Sequence, residues 1–466
     1  MTLVAGVDCS TQATKVLVCD AESGRVLREG RAAHPDVTEV DPAVWWAAWE
    51  RAADGLLDGV AALAVGAQQH GMVLTDGERP VRDALLWNDN RSAPQAAALI
   101  SELGGPEAWA EATGLVPVAS FTVTKLRWVA EHEPDTARRT TSVLLPHDWL
   151  THLLRGGRGE PTTDRGDASG TGYWSAAGDR YRPDLLSMAF GRELATPRVA
   201  EVAATVGETP SGVPLAPGTG DNMAAALGLG LQPGDVAVSL GTSGTAYAVT
   251  DRPTHDAEGI VAGFADATGR FLPLVCTLNA ARTLEAATAL AGATIADLDH
   301  LALSVPDSAG LTLLPFLDGE RTPPLPDARG LLHGLTRQNA TPAHLARAAV
   351  EGMLCGLADA VDALRRAGVT PRRVMLLGGA ARSTAVQQVA AGMFGLPVVV
   401  PRPAEHVALG AARQAAWMLA GAAAPPDWHP AHEVVDPDGG VAEAAGRARE
   451  RYTAVLRDSS ALLGDA

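Results

Sequence analysis

Apolar runs alternate with short polar turns from the first residues of the chain. Leu3–Val7 is continuously apolar and stops at Asp8-Cys9-Ser10-Thr11; Lys15–Cys19 follows, then the turn Glu22-Ser23-Gly24, then Arg25–Glu29. Short runs bounded by turn formers predict strands joined as hairpins. Trp45–Leu57 repeats apolar residues at helical spacing, and Pro42 ahead of it suits a first helical turn, where a missing N–H loses no hydrogen bond. Ala61–Ala67 returns to a strand pattern and ends at Gln68-Gln69-His70-Gly71. The second half repeats the device. Val236–Leu240 is apolar, Gly241-Thr242-Ser243-Gly244 turns, and Thr245–Thr250 returns; Val374–Leu377 then runs into Gly378-Gly379-Ala380-Ala381-Arg382 and a helical stretch from Thr384 to Phe394. The pattern predicts a duplicated α/β fold. Gly228, Gly230, Pro233 and Gly234 cluster between the halves and set the expected domains at 1–232 and 233–466. Ala423–Gly440, rich in Pro and Asp, reads as surface, and Ala442–Leu463 as a closing helix.

At 466 residues the chain is too long for one compact core and suits two. The formal net charge of −17 lacks the basic field of a general nucleic-acid binder, so no nucleic-acid partner is expected. A small anionic nucleotide remains compatible, since backbone amides and a metal supply local positive potential. The four cysteines form no CxxC pair and read as reduced thiols of a cytoplasmic protein. No signal peptide is expected from Met1–Val7, which is short and ends at Asp8. The Ala-rich stretch Ala404–Ala424 contains Glu405, His406 and Arg413, and reads as a packed helix with no role in a membrane.

Five segments carry candidate chemistry. Asp8-Cys9-Ser10-Thr11 puts a carboxylate and two hydroxyls at a strand end, where they can hold a hydrated metal and phosphates; the same residues are ordinary turn formers. Gly241-Thr242-Ser243 offers amides and hydroxyls to a phosphate, or a plain glycine turn. Gly378-Gly379, just before a helix, lets a nucleotide lie against the backbone with the helix N-terminus favouring its charge, or is only a tight step from strand to helix. Asp221-Asn222 opens a helical run. Asp221 can be a helix N-cap, a general base for a sugar hydroxyl, or both. Gln69 and His70 at a strand end suit hydrogen bonds to a polyol, although a single His more often has a structural partner. Together and in this order the segments say more than any one of them.

Longer motifs point to a family. Phe121-Thr122-x-x-Lys125-Leu126-x-Trp128 and Gly330-x-Leu332-x-Gly334-Leu335, followed by His344-Leu345-x-x-Ala348-Ala349-Val350-Glu351, fit its two patterns. Leu86-Trp87-Asn88-Asp89-x-Arg91, Asp167-Ala168-Ser169-Gly170-Thr171 and Gly319-Glu320-Arg321-Thr322-Pro323 match further stretches. From Asp8 to about Arg413 the chain resembles the FGGY carbohydrate kinases. The resemblance implies two duplicated actin/hexokinase-like, ribonuclease H-like ATPase domains with a cleft between them, closing by hinge motion. It implies transfer of a phosphoryl group from ATP to a terminal hydroxyl of a small ketose, D-xylulose first, with another pentulose, a pentitol or gluconate as alternatives. A non-catalytic ATP switch of the same fold is the reading from another class, but it would not need Gln69, His70, Asp221 and Asn222.

Carried over by position, the resemblance makes Asp221 the base and Asp8 the carboxylate that holds Mg2+, through water. Gln69, His70 and Asn222 contact the sugar. Ser10, Thr11, Gly241, Thr242, Ser243, Gly378, Gly379 and Arg382 bind ATP. The family's usual Met-His pair is here Gln69-His70, and Ala380 stands where a third glycine is common. The glycerol-specific Arg-Glu pair is absent. Lys125 and Arg321 are expected as ion-pair or loop anchors, and Trp87 and Trp128 as core. A homodimer is a possible assembly.

Overall fold

The computed structural model describes residues 1–428, 432–436, 439–459 and 463. The chain forms two compact units, one of residues 1–231, 251–272 and 404–429, the other of 232–250, 273–403 and 430–466. The first change of unit falls beside the expected boundary. Two later stretches, 251–272 and 404–429, return to the first unit; in the second of them the helix His406–Ala420 buries its alanine-rich face there. Parts of the expected surface tail (429–431, 437–438) and of the closing helix (460–462) lie outside the described residues. Among those described, the final long helix runs Gly439–Asp458.

The first unit is built on a sheet with Leu3–Cys9 near its middle. Leu3–Cys9 pairs antiparallel with Ala13–Asp20, which pairs antiparallel with Val26–Ala33. On its other edge Leu3–Cys9 runs parallel to Val60–Ala67, and the short strand Thr219–Gly220 also runs parallel to Val60–Ala67. Successive side chains of a strand point to opposite faces. Leu3, Ala5, Val7 and Cys9 therefore join a core with Trp45 and Trp49 of the helix Ala43–Ala53 and Leu150 and Leu154 of the helix Pro146–Leu154. Val4, on the other face, packs with Ala408, Ala411, Ala412 and Ala415 of His406–Ala420. The expected strands and the first helix are all present, each within a few residues of its predicted ends.

Small residues let this second face close. A Cβ at Gly6 would lie 1.9 Å from the Ala408 carbonyl oxygen, so the strand touches the helix backbone directly. The same helix crosses Asp221–Leu229 at glycines on both sides: a Cβ on Gly410 would stand 1.8 Å from the Ala224 carbonyl, and one on Gly228 2.1 Å from that of His406. No side chain separates the two helices at these points.

The second unit repeats the strand order. Asp235–Leu240 pairs antiparallel with Gly244–Ala248, which pairs antiparallel with Phe271–Thr277, and on its other edge it runs parallel to Arg373–Leu377. Val398–Pro401 adds parallel to Arg373–Leu377, and His432–Val435 adds antiparallel beyond it. The 25-residue helix Pro342–Arg366, capped by the Thr341 hydroxyl, supplies much of this unit's core. None of the helices among the described residues is long and apolar enough to cross a membrane.

Adding a methyl group where two backbones already touch forces them apart, at a cost of about 1–3 kcal/mol. Gly410→Ala is expected to lower the melting temperature measurably; an unchanged melting curve would mean that the two helices do not meet as described.

Candidate active site

Three parallel strands of the first unit end side by side, with Asp8 opposite Gly66, and Thr219 and Gly220 opposite Gly66 and Ala67. The residues at and just beyond these ends are Asp8 and Ser10, Gln69 and His70, and Asp221 and Asn222. The C-terminal edge of parallel strands is where ligands are bound in open α/β sheets. The register thus brings together candidates that are more than two hundred residues apart in sequence.

Asp8 is buried. Its Oδ2 accepts from Lys15 Nζ at 3.2 Å, while Oδ1 is buried without a hydrogen-bond partner. Burial raises its pKa, partly opposed by Lys15. Lys15 stands directly across the hairpin from Asp8 and also donates to Glu405 Oε2 at 2.6 Å. Ser10 Oγ closes the turn on the Ala13 carbonyl, and Thr11 Oγ1 accepts from Trp87 Nε1 at 2.8 Å.

The helix Asp221–Leu229 begins one residue earlier than a capping role for Asp221 would require. Gly220 holds the cap position, so Asp221 is the first helical residue and not the cap. Its Oδ1 accepts from the Asn222 backbone N–H at 2.8 Å and from Asn222 Nδ2 at 3.0 Å. Asn222 Nδ2 also donates to Gln69 Oε1 at 3.0 Å, which leaves the buried Gln69 Nε2 without a partner. Burial, reinforced by the charges of Asp8 and Asp167, pushes the Asp221 carboxyl up to about 7. A carboxylate so placed can take a proton near neutral pH.

His70 adopts a left-handed backbone with φ 65°, unusual for a non-glycine residue. Its Nδ1 faces the Gly170 carbonyl at 2.8 Å, and its ring packs against Phe121 and Phe264 with centroids 4.9 and 5.6 Å away. A carbonyl can only accept, so Nδ1 carries a proton.

In the second unit, the Gly241–Gly244 turn leaves Thr242 and Ser243 exposed. Gly378, at φ 87°, lies against it: a Cβ there would be 2.6 Å from the Leu240 carbonyl oxygen and 3.1 Å from the Gly241 nitrogen. Gly379 opens onto free space, and Arg382 is exposed. The expectation that the following helix offers its N-terminus to a nucleotide is corrected. The Asp299 carboxylate accepts from the Thr384 and Ala385 amides, and Ser383 Oγ accepts from Val386, so an internal anion already holds that end.

Other expectations also change. Trp87 is 38% exposed, its indole turned outward to Thr11, and Trp128 is half-buried, stacked on His132 with the Arg91 guanidinium over its ring. Lys125 is fully buried and anchors a loop through the Ala119 and Ser120 carbonyls, not through an ion pair; burial pushes its pKa down to about 7. Arg321 is exposed.

Sequence reasoning did not single out Glu405, Phe264 or the buried group around His147. His147 Nδ1 faces Asp167 Oδ2 at 2.8 Å and Asp148 Oδ1 at 3.2 Å, and its Nε2 faces the Pro217 carbonyl at 3.0 Å. Acceptors on both sides require both ring nitrogens to be protonated. Burial alone would lower the pKa of this ring, but the charges of Asp148, Asp167 and Asp164 and the hydrogen bond to Asp167 push it up to about 10. One atom each of His147, Asp148 and Asp167 lies within 4.8 Å of the others, but a doubly protonated ring has no lone pair for a metal.

Comparison with known proteins identifies this architecture. Both units carry the actin/hexokinase-like ATPase fold, α/β as expected. Residues 3–228 match the N-terminal domain model of the FGGY family of carbohydrate kinases, and residues 236–419 match its C-terminal domain model. The chain belongs to this family and is a carbohydrate kinase, with ATP as co-substrate. It is 49% identical to a xylulose kinase of Streptomyces rubiginosus, over 99% of this chain and 97% of that one. It is 35% identical to a xylulose kinase of Escherichia coli, over 84% of each chain. The crystal structure of xylulose kinase from Bifidobacterium adolescentis superposes with a TM-score of 0.88 at 44% identity, covering 96% of this chain and 99% of that one.

The charged form of His147 has a stability consequence. Its folded-state pKa lies above the unfolded value near 6.5, so its contribution is complete below that pH and is lost as pH rises toward about 10. Between those limits the wild-type melting temperature should fall more steeply with pH than that of His147→Gln. Parallel curves would reject the imidazolium.

Proposed function

We propose that the chain transfers the γ-phosphoryl group of ATP to a terminal hydroxyl of D-xylulose, giving D-xylulose 5-phosphate, in the cytoplasm. The relatives named xylulose kinase support the substrate, and four cysteines with no CxxC pair among them fit a reducing compartment. The observation that carries the chemistry is the half-buried Asp221 carboxylate, pushed up to about 7 at a strand edge shared with Asp8.

In this reading Asp221 is the general base. Asn222 fixes Oδ1 and turns Oδ2 toward the sugar, where it takes the hydroxyl proton as that oxygen attacks. Gln69 Nε2 donates to a sugar oxygen, and Asn222 ties Gln69 to the base. His70, fixed by the Gly170 carbonyl and the two phenylalanines, forms a wall of the sugar site. Ser10, Thr11, Gly241, Thr242, Ser243, Gly378, Gly379 and Arg382 bind ATP through backbone amides, hydroxyls and one guanidinium. Asp8 fits Mg2+: its Oδ1 is an unsatisfied, buried anionic acceptor suited to a metal-bound water. The ion, when bound with ATP, neutralises charge on the phosphate oxygens.

Gln69 in place of the family's usual methionine keeps a second reading alive, a more polar sugar such as gluconate. Assaying D-xylulose, other pentuloses, pentitols and gluconate for ADP release decides between them. D-xylulose should give the highest kcat/KM, and a higher value for gluconate or a pentitol would reject it.

Asp221→Ala should lower kcat by roughly 100- to 10,000-fold, the usual share of a general base, with the melting temperature nearly kept. Near-normal turnover would remove Asp221 from the mechanism. Asp8→Ala should weaken use of magnesium-ATP; a magnesium dependence like that of the wild type would clear Asp8 of this role.

A further inference from the structure

The backbone leading into Asp221 is gripped residue by residue. His147 Nε2 donates to the Pro217 carbonyl at 3.0 Å. Gln414 takes both backbone groups of Gly218: its Oε1 accepts from the amide at 2.8 Å and its Nε2 donates to the carbonyl at 3.1 Å. Asp164 Oδ2 accepts from Thr219 Oγ1 at 2.7 Å. Gly220 is held by the sheet opposite Ala67. All three gripping side chains are buried, and they come from three separate places: the helix Pro146–Leu154, the cap of the short helix Arg165–Ala168, and the helix His406–Ala420. The turn itself cannot relax, since Gly218 has φ 77° and a Cβ there would lie 2.5 Å from the Val65 carbonyl oxygen.

A strand of two residues is too short to hold its own place, so Thr219–Gly220 needs outside support. The support is of a costly kind. Three buried carboxylates, Asp148, Asp164 and Asp167, surround one imidazolium, and well-packed apolar residues are often as stabilising as buried charges. Stability alone does not account for such a cluster, whereas directional hydrogen bonds fix a backbone as packing cannot. The cluster also reaches the sugar side. Asp167 opens the stretch to Gly170, whose carbonyl orients His70.

We propose that His147, Asp164 and Gln414 are positioning residues, which clamp the 217–219 turn so that the Asp221 carboxylate meets the sugar hydroxyl. This rests on Asp221 being the base. The clamp acts on proton removal and leaves substrate binding largely alone, so it acts on kcat.

The test is a set of double-mutant cycles with D-xylulose and magnesium-ATP. Thr219→Val and Gln414→Met, both close in shape to the originals, and His147→Gln are each made alone and together with Asp221→Asn. Misplacing a catalytic group slightly can lose up to 100-fold, so each single variant should lose roughly 10- to 100-fold in kcat with KM changed by less than about 3-fold. On the Asp221→Asn background the same changes should have almost no further effect, because the group they position is gone. His147→Lys, which keeps a buried cation able to donate to Pro217, should recover most of the activity lost in His147→Gln. Single variants with wild-type kcat would overturn the clamp, as would losses that multiply with that of Asp221→Asn. Should His147→Gln fail to fold, the Thr219 and Gln414 cycles decide alone. If Asp221→Asn itself turns over normally, the base assignment falls and the clamp's role with it; if Asp221→Asn is slow but the losses multiply, only the clamp falls.

Discussion

The first unit is governed by the need to hold two carboxylates near each other where water is scarce. Asp8 lies on a strand that runs parallel to Val60–Ala67, Asp221 directly follows the strand Thr219–Gly220 that does the same, and the charge of Asp8 raises the cost of ionising Asp221. Left alone, such a pair would protonate or move apart. Lys15, opposite Asp8 in the hairpin, offsets one of the charges, and Glu405 in turn holds Lys15. Asn222 holds the other carboxylate through two donors to a single oxygen. The antiparallel hairpin is therefore part of the electrostatics, since its register decides that the cation faces Asp8.

The same requirement explains features that would otherwise weaken the fold. Glycines line the contact between His406–Ala420 and Asp221–Leu229, where Ala224, His406 and their neighbours leave no room for a Cβ. This close approach brings Gln414 within reach of Gly218 and Glu405 within reach of Lys15. The left-handed backbone at His70 is a local strain of the kind that collects at functional sites. It turns the ring toward the Gly170 carbonyl and the two phenylalanines that keep it there.

Much of this could be read from the chain. Strands and hairpins were legible because Asp, Ser, Thr and Gly mark the turns between apolar runs, and the repeated device revealed the duplicated plan. The residues at strand ends followed from the same punctuation. What remained hidden depends on partners remote in sequence. Nothing near residue 405 or 414 signals that these side chains reach Lys15 and Gly218. The helix at Thr384 carries the local marks of an anion site, yet Asp299, distant in sequence, already occupies its amides. Trp87 looked like core by residue type, but its indole N–H is drawn outward to Thr11. His147 gives no sign in the sequence that the fold will bring Asp164 and Asp167 up to it.

The duplication also shows how one plan acquired two chemistries. Asp8 faces Lys15 across the first unit's hairpin; at the equivalent place in the second unit, one residue before the strand end, Ser239 faces Thr245. On the parallel side, Asp8 stands opposite Gly66 and Ser239 opposite Leu377. An ion pair in one copy is thus a pair of hydroxyls in the other. The difference suits the proposed division of labour. In the first unit Asp8 is the carboxylate proposed to hold Mg2+, and Lys15 is the counterion that keeps it in place. In the second unit, where the proposal seats ATP, the hydroxyls of Ser239 and Thr245 put no further negative charge beside the proposed donors Gly241, Thr242 and Ser243.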